Sequence, residues 1–166
     1  MSATETSGRV GIVVGSRSDM AAAERAAAVL EELSIESEVR VISAHRAPEL
    51  LTRFAATAEA RGIRVFIAIA GLAAHLPGVL AAQTTLPVVG VPMPGGVADG
   101  LDALLSVVQM PKGVPVATVG VGNAENAALL AAQILSLSDP ALRERFAARR
   151  AAAARAIEDD PANEGL

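Results

Sequence analysis

The chain has 166 residues, a formal net charge of −4, 52% hydrophobic side chains, 2% aromatic ones and no cysteine. That length suits one domain, which removes roughly 70% of the unfolded chain's surface from water. The acidic balance argues against a nucleic-acid partner, which calls for a basic footprint, and the missing cysteines exclude disulfides, thiolate nucleophiles and Cys-based zinc sites.

Residues 1–8 (MSATETSG) lack the basic and apolar regions of a secretion signal and read as a disordered tail; residues 9–157 read as a single α/β domain. Val10 to Gly15 (VGIVVG) is a β-branched run closed by glycine, the pattern of a strand buried on both faces. Ser16 to Asp19 forms a polar loop in which Ser18 or Asp19 can cap the next helix. Met20 to Leu33 is that helix, a run of strong helix formers, with Glu38 to Ile42 the second strand and Ser43 to Ala47 a loop. Pro48 suits the first turn of a helix reaching about Ala60, ended by Gly62.

Val65 to Ala70 (VFIAIA) is the third strand, followed by a Gly71-to-Pro77 loop and a short helix from Gly78. The stretch from Val65 to Ala82 is apolar enough to raise a membrane helix, which needs about 20 such residues. Gly71, His75, Pro77 and Gly78 in its middle fit a strand-to-helix loop instead, so no membrane partner is expected. Val88 to Val91 is the fourth strand, between Pro87 and Pro92, and a Pro- and Gly-rich loop leads to a helix over Leu101 to Val108. Val116 to Val121 is the fifth strand and Asn123 to Ser136 a helix. Asp139 then opens a last helix from Pro140 to about Ile157, rich in Ala and Arg. Such small side chains suit close packing against a second copy. Residues 158–166 read as a frayed tail.

Strands alternating with helices, each strand apolar without alternation, predict a parallel sheet covered on both faces. The expected fold is a flavodoxin-like three-layer sandwich with five parallel strands ordered 2-1-3-4-5 and a C-terminal helix. In such sheets ligands bind beyond the carboxyl ends of the strands, where the strand order reverses.

The reactive residue types lie in those loops. The first, Gly15-Ser16-Arg17-Ser18-Asp19, precedes a helix, so backbone N–H groups could face a phosphate while Asp19 accepts hydrogen bonds from ribose hydroxyls; an ordinary helix cap explains it equally well. It carries no P-loop or GxGxxG fingerprint. The second, Ser43-Ala44-His45-Arg46, joins an imidazole suited to moving protons near neutral pH to a guanidinium that binds phosphate or carboxylate in a fork. A local cap at His45 with a solvated Arg46 is the bland alternative. The third loop carries His75 among Ala, Leu and Pro, where a buried structural imidazole competes with a site role. No HxH or HExxH spacing supports a metal.

Five segments occur in fixed order: GSRSDM, SAHRAP, AGLAAHLPG, SVVQMPKGVPVATV and NAALLAAQIL. Together they resemble the class I N5-carboxyaminoimidazole ribonucleotide mutases, the PurE proteins, from about Val10 to Phe146. The resemblance implies conversion of N5-carboxyaminoimidazole ribonucleotide into 4-carboxy-5-aminoimidazole ribonucleotide in purine biosynthesis, in the cytoplasm, by a homo-octamer without metal or organic cofactor. Residue by residue, it makes His45 the general acid–base and Ser16, Asp19 and Arg46 the principal nucleotide-binding residues, with Ser18 and Ser43 near the phosphate. Ala44, Ala70, Gly71, Ala73, Ala74 and Leu76 match the small apolar pocket around the migrating carboxylate, and His75 a site histidine.

One position departs from the pattern: many bacterial members read Gly-Gly-Ala-Ala-His where this chain has Gly71-Leu72-Ala73-Ala74-His75; a Leu72 facing the sheet's flank matters little, whereas one facing the pocket bears on how the carboxylate is placed. The second-class carboxylases, which act directly on aminoimidazole ribonucleotide and CO2, typically carry Lys at the Arg46 position and Ser-Asn after the third-strand glycine. This chain has neither. A flavin-binding module is disfavoured by the few aromatic side chains. A signalling receiver is disfavoured by Gly15-Ser16 and Gly71, where receivers need acidic residues.

Overall fold

The computed structural model describes residues 8–165, so the tail expected at the N-terminus lies outside it except for Gly8. Five strands form its sheet: β1 (Arg9–Val14), β2 (Ser37–Val41), β3 (Ile63–Ala70), β4 (Val88–Pro92) and β5 (Ala117–Thr118). All pair in parallel, in the order β2-β1-β3-β4-β5. The expected doubly wound order is therefore present.

Six helices cover it: α1 (Met20–Glu32), α2 (Pro48–Ala56), α3 (Leu76–Ala81), α4 (Leu101–Val108), α5 (Ala124–Leu135) and α6 (Pro140–Glu158). Alternate side chains of each strand point to opposite faces. Val65, Ile67 and Ile69 of β3 join α1 and α5 in one core, and Phe66, Ala68 and Ala70 join α2, α3 and α4 in the other. Two strand glycines make room on the second face. A Cβ on Gly11 would lie 2.8 Å from the Phe66 ring, and one on Gly90 would collide with Val107 and meet Val116 at 3.0 Å.

Several boundaries differ from the sequence expectation, each for a local reason. The fifth strand keeps two residues instead of six, because Gly120 and Gly122 adopt positive φ (114° and 68°) and Gly122 N donates to Pro92 O, bending the chain across the end of β4. Helix α2 stops at Ala56; the chain tightens into a 3-10 turn over Glu59–Arg61 that Gly62 closes at φ 81°. Helix α3 begins at Leu76, two residues before Gly78, with Pro77 in its first turn, where no N–H is needed. Asp139 caps α6 by accepting from Leu142 N. Beyond α6, where frayed chain was expected, Asp160 caps a further 3-10 turn at Pro161–Asn163. The apolar stretch from Val65 to Ala82 divides into β3, a loop and α3, and no helix among the described residues is long and apolar enough to cross a membrane.

Candidate active site

The loops following β1, β2, β3 and β4 converge over the carboxyl edge of the sheet and line one open cavity of about 820 Å³. It lies where β1 and β3, adjacent in the sheet but not in sequence, part their connections to opposite faces.

After β1, Gly15 N extends the ladder by donating to Ile69 O at 3.2 Å. Ser16, in extended backbone, accepts from Ser18 N at 3.3 Å and so caps a 3-10 turn over Arg17–Asp19. Of the two residues expected to cap the following helix, Asp19 occupies the N-cap position of α1. It makes no side-chain capping bond there, its Oδ1 accepting only a long 3.4 Å contact from Ser18 Oγ. Its carboxylate is consequently free to receive hydroxyl donors from a ligand. Burial pushes the Asp19 carboxyl above its ordinary 3.8, and the Ser18 hydroxyl draws it part of the way back.

After β2, Ser43 Oγ accepts from both Arg46 N (3.2 Å) and Arg46 Nε (3.3 Å), and an outer guanidinium nitrogen reaches Gly15 O at 3.5 Å. These bonds tie the second loop to the first and leave Arg46 exposed at the cavity. No carboxylate pairs with it among the described residues. An unpaired guanidinium beside serine hydroxyls is a receptor for a phosphate.

The two histidines meet. His45 Nε2 lies 2.9 Å from His75 Nδ1, with the rings edge to face at 5.0 Å between centroids. A contact of that length takes one N–H and one lone pair, so a single proton lies between the two nitrogens. His75 is exposed and bonded to His45, which sets aside the buried structural role left open from the sequence. Its position follows from a tight turn in which Ala74 N donates to Leu72 O and His75 N to Ala73 O.

Twelve of the thirteen residues anticipated from the sequence line the cavity: Ser16, Ser18, Asp19, Ser43, Ala44, His45, Arg46, Ala70, Gly71, Ala73, His75 and Leu76. Ala74 does not. The same tight turn aims its methyl inward, and at 1% exposure it belongs to the core beneath the site, with Val13 and Leu80. Gly15, Leu72, Met93, Pro94, Gly95 and Gly96 line the cavity as well. The available signal is positional, since the loop after the fourth strand also lies at a carboxyl end; its titratable side chain, Asp99, does not line the cavity. Leu72 faces the cavity rather than the flank of the sheet. No group of three or more His, Cys, Asp or Glu side chains that could hold a metal ion occurs among the described residues.

Fold and cavity together define a flavodoxin-like α/β protein with two histidines, an arginine, an aspartate and serine hydroxyls gathered over the carboxyl edge of a parallel sheet. Comparison with known proteins narrows that class to one family. The AIR carboxylase family profile matches residues 9–156, and the chain belongs to that family. It is 57% identical over 138 residues to a protein of Pyrococcus abyssi named N5-carboxyaminoimidazole ribonucleotide mutase, covering 83% of this chain and 79% of that one. A mutase of the same name from Mycobacterium tuberculosis is 57% identical over 140 residues, 84% of this chain and 80% of the other. The phosphoribosylaminoimidazole carboxylase of Schizosaccharomyces pombe is 52% identical over 133 residues, 80% of this chain but 24% of that longer protein. Among solved structures, Treponema denticola PurE superposes with a TM-score of 0.86 at 32% identity, covering 95% of this chain and 98% of that one.

Proposed function

We propose that the protein is an N5-carboxyaminoimidazole ribonucleotide mutase, moving the carboxylate from N5 to C4 to give 4-carboxy-5-aminoimidazole ribonucleotide, with His45 as the general acid–base. The observation that carries the reading is the 2.9 Å contact between His45 and His75 inside a cavity that also presents Arg46, Ser16, Ser18, Ser43 and Asp19. Arg46 and the serines receive the phosphate, Asp19 the ribose hydroxyls, and the imidazole pair is left to the heterocycle.

The chemistry needs one proton given and one taken. When the N–CO2 bond breaks, its electron pair stays on nitrogen, which takes a proton from the His45 imidazolium. C4 then attacks the freed CO2, and the imidazole removes the C4 proton to restore the aromatic ring. One group serves both steps, at a gain typical of general acid–base catalysis, about 10²–10⁴-fold. His75 holds the His45 ring in orientation through the 2.9 Å contact. Ala44, Ala70, Gly71, Ala73 and Leu76 surround the migrating carboxylate with small apolar groups, which keeps recapture of CO2 effectively intramolecular.

A second reading, direct carboxylation of aminoimidazole ribonucleotide by CO2, is favoured by the S. pombe relative's name. Supplying each substrate separately to purified protein decides between the two. The assembly belongs to the proposal as well: a homo-octamer, in the cytoplasm. Supporting it, Leu101, Leu105 and Val108 of α4 are 46–52% exposed, Leu137 and Ile157 more so, and α6 buries only Leu142 of its 19 residues. Light scattering on the eluted peak measures the copy number; a monomer would remove the octamer.

The catalytic assignment is tested with His45→Asn, which keeps a polar side chain of similar reach but cannot carry the proton. Turnover is expected to fall by about 10²–10⁴-fold with substrate affinity nearly unchanged. Near-normal turnover in that variant would take His45 out of the role.

A further inference from the structure

Leu72 is held in a conformation that folding alone does not favour. Its φ is +56°, in the left-handed region, where an L side chain costs about 1–2 kcal/mol. Its side chain is 63% exposed, so it gains little of the burial that normally stabilises a leucine. Glycine would remove the backbone cost and leave no apolar group in water. Strained backbone of this kind persists where the surroundings hold it and clusters at ligand clamps.

The side chain lines the cavity next to the loop after β4. Leu72 belongs to the loop after β3, immediately before the turn that carries His75, and it lines the same cavity as the histidine pair. Its Cδ2 lies 3.2 Å from where a Cβ on Gly96 would stand, in the loop after β4. Gly96 has φ +74°, and an added Cβ there would also meet the Asp102 carboxylate, so glycine lets that loop come close to Leu72. Leu72 and Gly96 thus bridge two loops that otherwise flank the opening.

We propose that Leu72 is a containment residue: its isobutyl group closes the apolar end of the cavity over the reacting carboxylate, so that CO2 released in the first step is captured at C4 before it can leave. The assignment rests on the mutase reading above and adds to it the residue that sets the ratio of transfer to escape. In the transfer cycle the proton given to nitrogen is balanced by the one taken from C4. In an escape event the N–C bond breaks and nitrogen takes the proton. The products are then aminoimidazole ribonucleotide and free CO2, and His45 is reprotonated from solvent. Leu72 moves no proton; it acts on the partition between the two outcomes.

The test is carbon-isotope exchange during turnover. The protein is given unlabelled N5-carboxyaminoimidazole ribonucleotide in buffer equilibrated with ¹³C-bicarbonate and carbonic anhydrase. At initial rate, ¹³C in the C4 carboxylate and released aminoimidazole ribonucleotide are both measured per turnover. Wild type should incorporate little label. Leu72→Gly should raise incorporation and release by about tenfold, the scale on which losing confinement makes recapture compete with diffusion. Its urea midpoint should equal or exceed that of wild type, because glycine relaxes the backbone. Leu72→Ala should leak as Leu72→Gly does, while Leu72→Met, with comparable reach, should retain most of the containment. Equal label per turnover in Leu72→Gly and wild type overturns the containment role while leaving the mutase reading intact. Wild-type protein that converts none of this substrate overturns the mutase reading and the assignment with it.

Discussion

Replacing Arg46 with alanine removes a guanidinium that the fold scarcely uses. The side chain is exposed, its bonds to Ser43 Oγ and Gly15 O are long at 3.3 and 3.5 Å, and no carboxylate pairs with it among the described residues. Surface changes of that kind shift stability by about 0.5 kcal/mol or less. In the proposed complex, however, Arg46 makes charge-assisted bonds to the phosphate, each worth about 1.5–3 kcal/mol. Since about 1.4 kcal/mol is a factor of ten, kcat/KM should fall roughly 10- to 150-fold. The assay is steady-state conversion of N5-carboxyaminoimidazole ribonucleotide, paired with urea unfolding of the same preparation. Should phosphate binding be equal in ground and transition states, the loss appears in KM. Should it orient the ring against His45, kcat falls as well. A variant that loses stability by more than about 1 kcal/mol while keeping kcat/KM would refute the reasoning.

Gly90→Ala places a methyl against Val107 and Val116, and overpacking of this kind should cost about 1–3 kcal/mol, read as a lower urea midpoint with unchanged slope. His75→Ala removes one hydrogen bond to His45, worth about 0.5–1.5 kcal/mol, so kcat should fall by up to about tenfold, far less than in His45→Asn. Equal losses in the two variants would show that His75 carries the proton itself. Asp19 tests linkage: burial raises its carboxyl above 3.8, so the folded chain holds that proton more tightly than the unfolded one. Its contribution to stability therefore declines as pH rises from 3.8 through the folded value. Asp19→Asn should be more stable than wild type above that interval, and their urea midpoints should converge below 3.8. A variant less stable than wild type at neutral pH would contradict this sign.

The parts of the fold that could be read from residues are those where a local pattern and the tertiary environment agree. Val10–Val14 and Val65–Ala70 are strands buried on both faces, so their apolarity is unbroken and unambiguous. Pro48 and Asp139-Pro140 mark helix starts by their own chemistry. The fifth strand was overextended because Val119 and Val121 suit a strand, and only the contact between Gly122 and Pro92 turns the chain away. At the site, the first three loops were legible because each carries a side chain with chemistry of its own. The approach of His45 to His75 was not, since 30 residues separate them and the sheet's order alone brings them together. Ala74 lies in the core beneath the cavity rather than in its lining, since inward and outward positions in a tight turn follow backbone angles, to which an alanine gives no clue. Gly95 and Gly96 were missed because they shape the cavity with backbone rather than with a functional group.

The central claim is that one sugar-phosphate spans the cavity with its heterocycle at His45, and a crystal structure of the His45→Asn protein soaked with N5-carboxyaminoimidazole ribonucleotide tests it most directly. Phosphate oxygens should lie on Arg46 and Ser43, ribose hydroxyls on Asp19, and the carboxylated nitrogen within hydrogen-bond reach of the substituted side chain. Phosphate bound away from Arg46, or a ring that never comes near residue 45, would contradict it.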